Sequence, residues 1–420
     1  MQTNLASWAR ETDLGQDADE ILRRCVHCGF CLATCPTYQL LGDERDSPRG
    51  RIYLMKQVLE GIEPTTATQT HLDRCLTCRN CETTCPSGVQ YGALVDIGRK
   101  IVDEKVERPL TQRLSRAALR GLLNSPLFGP ALKLGRVLRP MLPEVLRNKV
   151  PQARPAGALP SGKSHARQVL MPLGCVQPAM MPSIDAATVR VLDAVGIGAR
   201  MVAGAGCCGA INFHLDAQDA ALDQMRANID AWLPLLDSGE AEHIVMNASG
   251  CGAMVKEYAH HLRHDPDYVV KALRVADKTC DVAEILAPHA AQLKAMLADL
   301  PQRAAFHPPC TLQHWQGLRG ASERLLADLG FDLQPFSESH LCCGSAGTYS
   351  VTQPALAKSL RDRKLQAIQA AQPDCIISSN MGCITHLQSG TGTPVRHWIE
   401  VVDQALAGRA GRDRLKYLDG

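Results

Sequence analysis

Cys25-Val-His-Cys28-Gly-Phe-Cys31-Leu-Ala-Thr-Cys35-Pro36 and Cys75-Leu-Thr-Cys78-Arg-Asn-Cys81-Glu-Thr-Thr-Cys85-Pro86 repeat one spacing of four cysteines and a proline, fifty residues apart. Together they hold eight of the 18 cysteines in a chain of 420 residues. At 45% hydrophobic and 21% charged residues, the chain has the balance of a soluble protein of two or three domains. Its apolar stretches, such as Val169 to Ile184, are broken by Pro or Gly and fall short of a bilayer span. Met1 to Arg24 is polar, without the apolar core of a secretory signal or the Arg-rich, acid-poor character of a transit peptide, so the expectation is a cytoplasmic chain. Thiols stay reduced in that compartment, which excludes a disulfide framework and leaves metal or cluster ligation as the reason for so many cysteines.

Each run is similar to the one that binds a [4Fe-4S] cluster in two-cluster bacterial ferredoxins. Thiolates at i, i+3 and i+6 wrap one cube, while the fourth, turned away by its proline, reaches the other. The expected ligand sets are Cys25, Cys28, Cys31 and Cys85 for cluster 1, and Cys75, Cys78, Cys81 and Cys35 for cluster 2. Structural zinc needs only paired Cys-x-x-Cys knuckles and leaves the third cysteine and the proline of each run without a reason. His27 reads as a solvated or cluster-shielding imidazole, because all four ligand positions are already Cys. Arg49, Arg51, Arg74 and Arg79 lie near enough to tune the clusters by charge, with solvated surface as the ordinary expectation for each. With every iron ligated, this region passes single electrons, and no catalytic residue is assigned.

Residues 1–105 form the helical 2x[4Fe-4S] ferredoxin-type domain, with a helix expected over Gly50 to Gly61. Residues 106–165 read as a basic Leu/Pro-rich connector: Thr111 to Arg154 carries nine Lys or Arg against the single acid Glu144, and Pro151 to Gly162 reads as a flexible boundary. Its stretch from Leu132 to Arg147 has the composition of a segment that lies on anionic lipid, or equally of one facing a partner or solvent. The remainder is a duplication, 166–300 and 301–420. Cys175, Cys207, Cys208, Gly209 and Cys251 align with Cys310, Cys342, Cys343, Gly344 and Cys383, the first Cys preceding the pair by 32 residues in both copies. Strands are expected at Gln168 to Leu173, His243 to Asn247, Arg303 to His307 and Asp374 to Ser378. Helices are expected at Asp185 to Val195, Ala217 to Leu236, Ala321 to Leu329 and Gln353 to Ala371. This alternation implies α/β units with largely parallel sheets. The fold class is therefore α+β multidomain, a mostly helical cluster domain followed by duplicated α/β units.

In each copy the isolated cysteines follow predicted strands, at the carboxyl ends where open α/β sheets place their sites. Two readings stand for these eight thiols: ligands of a further iron-sulfur cluster or metal, or buried free thiols. Cys280 and Cys375 fit neither copy and read as core packing. His307, His314, His340 and His386, near the second copy's cysteines, read as structural groups with satisfied hydrogen bonds. A net charge of +2 and few aromatics (6 Phe, 7 Tyr, 4 Trp) argue against a nucleic-acid partner.

The duplicated Cys, Cys-Cys-Gly, Cys pattern resembles the cysteine-rich CCG domain of heterodisulfide reductase and its relatives, whose complete copies end in Cys-x-x-Cys. Here Met254 and His386 stand where the last Cys would fall, which argues against disulfide-reductase catalysis by these repeats. Over nearly its whole length the chain resembles the iron-sulfur subunits of bacterial glycolate oxidase. The resemblance is carried by the two runs together with Cys35-Pro-Thr-Tyr-Gln-Leu-Leu-Gly42, Pro48-Arg-Gly-Arg-Ile-Tyr53, His71-Leu-Asp-Arg74, Ala205-Gly-Cys-Cys-Gly-Ala210, Ser339-His-Leu-Cys-Cys-Gly-Ser-Ala-Gly-Thr348 and Val395-Arg-His-Trp-Ile-Glu400. It implies an electron-transfer subunit, inactive alone, in a complex whose FAD-containing subunits oxidise glycolate and D-lactate. FAD is then held by the partners only, since no dinucleotide fingerprint occurs here. It also implies electron delivery to a quinone-type acceptor and peripheral attachment to the cytoplasmic face of the inner membrane. The alternatives are the equivalent subunit of a glycerol-3-phosphate or L-lactate dehydrogenase system, and a heterodisulfide-reductase-like catalyst.

Overall fold

The computed structural model describes residues 1–141, 153–160 and 165–410. The parts of the connector at 142–152 and 161–164, including Glu144, lie outside the described residues.

The first hundred residues are helices set between the cysteine runs. Thr12 caps Asp13–Arg24 by accepting from Gly15 N, and Ser47 caps Pro48–Leu59 by accepting from Gly50 N, with Pro48 fixing the first turn. The sequence placed this second helix at 50–61. Tyr91–Lys105 closes the bundle, and Leu22, Ile52, Met55, Leu72, Leu94 and Val95 form a core that also takes in Cys25, Cys75 and Cys81.

Within the connector two α-helices form, Leu110–Leu123 and Phe128–Val137, while the described residues 153–160 carry no helix or strand. Arg116 pairs with Asp73 and Asp216, and Arg120 donates to Leu215 O, tying the first of these helices to both the bundle and the next domain. Among the described residues no helix is long and apolar enough to cross a membrane.

The duplication appears as two parallel sheets. β1 (Arg167–Met171), β2 (Ile197–Met201), β3 (Ile244–Met246) and β4 (Thr279–Asp281) pair in the order β2-β1-β3-β4. β5 (Ala304–His307), β6 (Cys375–Ser378) and β7 (Val395–His397) pair as β5-β6-β7, and a single bridge from Ala304 to Leu333 stands where the fourth strand would be. Side chains alternate across the first sheet. Val169, Met171 and Val245 face a core shared with the second sheet, whereas Leu170, Ile244 and Met246 face a separate core around Trp232. The shared core contains Phe306, Ile376, Ile377 and Trp398, so the two repeats are packed face to face as one body.

Candidate metal centres

The two amino-terminal runs fold alike. Residues at equivalent places, His27 and Gly29 in the first and Thr77 and Arg79 in the second, take left-handed backbone conformations with φ of 55°, 84°, 51° and 58°. Three of these four carry a Cβ, so each bears strain that glycine would avoid. The bends curl each run around a hollow and turn backbone N–H groups toward sulfur; Thr77 N donates to Cys75 Sγ at 3.3 Å.

Two clefts result. One, of about 430 Å³, is lined by Cys25, Cys28, Cys31, Cys85 and Cys81, with apolar walls from Ile52 and Val89. The other, of about 300 Å³, is lined by Cys35, Cys75, Cys78 and Cys81. Pro48, Cys81 and Tyr91 line both, so the clefts share a wall. In each, the fourth cysteine of one run joins three of the other. No carboxylate lines either cleft, and no histidine lines the second. Burial pushes the Cys31 thiol up to about 11, with Cys25 and Cys28 adding to it, and burial raises Cys25, Cys35 and Cys81 as well. Crowded thiolates of this kind need a cationic group to offset them, and an all-sulfur donor set without hard oxygen ligands fits iron-sulfur clusters.

The surrounding charge is arranged around the second cleft. Arg51, expected at the surface, is only 1% exposed: its guanidinium donates to His71 O, Thr37 Oγ1 and Asp46 Oδ1. Burial opposes its charge, but Tyr91, Cys75, Cys35 and Asp46 hold the proton on. Arg79 is likewise buried, pairing with Glu257 of the first repeat and lying 3.6 Å from the Trp315 ring centroid of the second. Both depart from the expected solvated surface because fixed acceptors from distant segments surround them. Arg49 and Arg74 remain about one-third exposed. His27 lines the first cleft, and burial, assisted by Arg49, holds its imidazole neutral.

The second run is also where the domains meet. Trp315 Nε1 donates to Thr77 O, Tyr349 OH to Arg74 O, and Asn80 Nδ2 to His340 O. Leu76 packs with Cys310, Cys342, Tyr349 and Leu360, and Cys78 joins the edge of this cluster within hydrogen-bond reach of Cys310.

The eight remaining site cysteines converge in two groups. In repeat 1 the contacts run Cys175, Cys207, Cys208, Cys251, and Cys207 is the thiol most easily ionised because both Cys175 and Cys208 donate to it. In repeat 2 the order is Cys310, Cys342, Cys343, Cys383. Gly209 and Gly344, at φ of 92° and 88°, turn the chain after each pair, and a Cβ at Gly344 would meet Ala357 O at 2.5 Å. Lys364, 2% exposed, faces Cys310, Cys343 and Cys342 and donates to Glu338 O. Of the four histidines, His314 bridges Thr83 Oγ1 and His340 O, and His386 meets Ala357 O. His307 breaks the expectation of a satisfied structural group. It is 1% exposed, its Nδ1 has no hydrogen-bond partner, and its donor atom lies within 4.8 Å of those of Cys343 and Cys383. Its place at the end of a strand, three residues before Cys310, was the available signal. Cys375 is buried at the start of β6, and Cys280 sits half-buried in β4, apart from both groups.

Residues 21–89 match the 4Fe-4S dicluster domain family, and residues 169–256 and 304–388 each match the cysteine-rich domain family. The chain is 53% identical over 411 residues to the glycolate oxidase iron-sulfur subunit of Escherichia coli (strain K12), covering 97% of this chain and 99% of that one. It is 30% identical over 404 residues to the probable glycolate oxidase iron-sulfur subunit of Bacillus subtilis (strain 168), covering 89% and 90%. Similarity to lactate utilization protein A of Geobacillus thermodenitrificans is 29% over 239 residues, 54% of this chain and 95% of that one.

Proposed function

The chain belongs to the family of glycolate oxidase iron-sulfur subunits, and on that premise we propose that it relays electrons from a partner flavoprotein that oxidises glycolate, and D-lactate, toward a quinone-type acceptor. The observation that carries the proposal is the pair of adjoining thiol-lined clefts, each completed by a cysteine from the other run. The two [4Fe-4S] clusters supply one-electron transfer when bound. Cys25, Cys28, Cys31 and Cys85 hold the first, and Cys75, Cys78, Cys81 and Cys35 the second. Around them Thr77 N and Tyr91 OH, at 3.3 and 3.5 Å from Cys75 Sγ, stabilise negative charge on sulfur, and Arg51 places a permanent cation beside the second cleft. Residues 1–105 carry the relay, 106–165 connect, and 166–300 and 301–420 are the repeats, whose eight cysteines are candidate ligands of a further cluster or metal. FAD stays with the partner subunits.

Peripheral attachment to the inner membrane is part of the same reading. The connector helices expose Leu110, Leu114, Leu127, Leu134 and Val137 at 60–75%, close to Arg113, Lys133 and Arg136 in sequence, the combination an anionic lipid surface attracts.

Cys-to-Ser changes in the clefts, made in the assembled complex, test the relay. Substrate should still reduce the flavin while acceptor reduction falls to background; loss of flavin reduction itself counts against it. The lactate utilization relative favours a second reading, the same relay with a lactate-oxidising partner. Identification of the flavoprotein that co-purifies separates the two.

A further inference from the structure

We propose that the second repeat binds one divalent ion of zinc type through His307, Cys343 and Cys383, a mixed nitrogen and sulfur site set apart from the two amino-terminal clefts. This deepens the reading of the repeats as metal-holding and stands whether or not the amino-terminal relay does.

Three observations carry it. The donor atoms of the three residues all lie within 4.8 Å of one another. Donors on one tetrahedral ion, bound at zinc's usual bond lengths, stand about 3.5–3.8 Å apart, whereas thiolates on separate irons of a cube are spread wider. Among the described residues no other set of three donors that includes a cysteine is so compact, the eight cluster-run cysteines included. Next, the imidazole is enclosed at the carboxyl end of β5 with an unpartnered nitrogen. A bound cation would remove the unmet polar demand of that enclosed nitrogen. Last, two thiolates and one divalent ion are neutral together, and the buried Lys364, which faces Cys310 and Cys342 as well as Cys343, offsets charge on the thiols that the ion leaves out.

Repeat 1 lacks the site. At the spacing that aligns Cys175 with Cys310, the place of His307 is taken by Pro172, which has no donor, and four thiols remain. The inference thus assigns different contents to the two copies. The ion would join the end of β5, the cysteine pair and the helix Met381–Gln388, three segments otherwise connected only through long stretches of chain.

The test is metal analysis of the full-length chain, purified without oxygen or added metal, beside H307Q, C383S and, as a control for repeat 1, C251S. The proposal expects about one zinc per chain in the wild type and in C251S, lost at least fivefold in H307Q and C383S, with iron content and the low-temperature paramagnetic signal of the reduced clusters retained in H307Q. Cobalt supplied in place of zinc should give the visible ligand-field bands of a tetrahedral site with thiolate ligands, and H307Q should shift or abolish them. A wild-type chain without zinc that gives no such cobalt spectrum overturns the proposal. So does loss of iron rather than zinc in H307Q, which would mean that repeat 2 holds an iron cluster. Should H307Q fail to fold, the wild-type zinc count and cobalt spectrum decide alone.

Discussion

The two repeats share a topology and a set of four thiols, yet their buried positions differ in charge. Around the first cysteine pair, Asn228 donates to Cys207 O and Tyr258 OH, and Tyr258 OH donates to Cys208 O, a neutral frame. Ile229, fully buried, stands where repeat 2 has Lys364. Repeat 2 thus adds a buried ammonium and a buried imidazole, and it is also the copy that touches the second cleft through Cys78 and Cys310. The difference teaches that duplication kept the backbone and the sulfurs, while the second copy was fitted to negative charge on its thiols and to the neighbouring domain.

The contact between domains gives the largest expected effect. Arg79 is clamped by Glu257 of repeat 1, with Nη2 to Oε2 at 2.8 Å, and stacked on Trp315 of repeat 2. Arg79→Ala leaves a carboxylate enclosed without its partner and should cost about 3–5 kcal/mol in chemical unfolding. Arg79→Ala combined with Glu257→Gln should recover part of it. An additive pair would mean that the two residues do not act together.

A second pair sharpens the comparison through pH. The edge strands end in matching caps, Asp281 with Glu284 and His397 with Glu400: Ala283 N donates to Asp281 Oδ1 at 2.9 Å and Ile399 N to His397 Nδ1 at 3.2 Å. With Nδ1 accepting, the proton sits on Nε2 and is donated to Asn247 O at 2.9 Å. Burial pushes His397 down to about 4 and Asp281 up to about 7. The histidine's contribution is therefore complete above its unfolded value near 6.5 and is lost as pH falls through about 4. The aspartate's contribution is complete below its unfolded value near 3.9 and is lost as pH rises through about 7. The histidine should contribute about 3 kcal/mol and the aspartate about 4 kcal/mol. Between about pH 4 and 6.5 the two slopes oppose each other, so unfolding free energies measured from about pH 4 to 8 should fall with rising pH in His397→Asn, where the aspartate acts alone, and fall with falling pH in Asp281→Asn, where the histidine does; profiles unchanged from the wild type would contradict the assignment.

The smallest effect compares the glycines after the two cysteine pairs. A methyl at Gly344 overlaps Ala357 O, whereas at Gly209 the nearest atom is 3.1 Å away. Gly209→Ala should cost about 1–2 kcal/mol for the left-handed backbone alone, and Gly344→Ala about 1–3 kcal/mol more for the overlap. Equal costs would mean that the second repeat is no tighter there than the first.

Much of this could be read from the chain. The cysteine spacing, the offset of the duplication and the strands around Val169, Val245, Phe306 and Ile376 all announce themselves, because sulfur spacing and buried apolar runs are local properties. β2, β4 and β7 were missed: they are three to five residues long and edge their sheets, so partial burial weakens the apolar signal. The burial of Arg51 and Arg79 depends on acceptors brought from Asp46 and Glu257 by folding. Likewise His307 meets Cys343 and Cys383 only because β5 ends beside the segments that carry them, and nothing in the histidine's own neighbourhood names its partners. The left-handed turns at His27, Thr77 and Arg79 carry no glycine to mark them.

Iron and acid-labile sulfide, counted on the anoxically purified full-length chain beside Cys28→Ser and Cys78→Ser, test the central claim most directly. Two cubes held by the amino-terminal clefts require about eight of each per chain, with about half of that iron lost in either variant. A colourless chain without labile sulfide, or full iron retained in both variants, would contradict it.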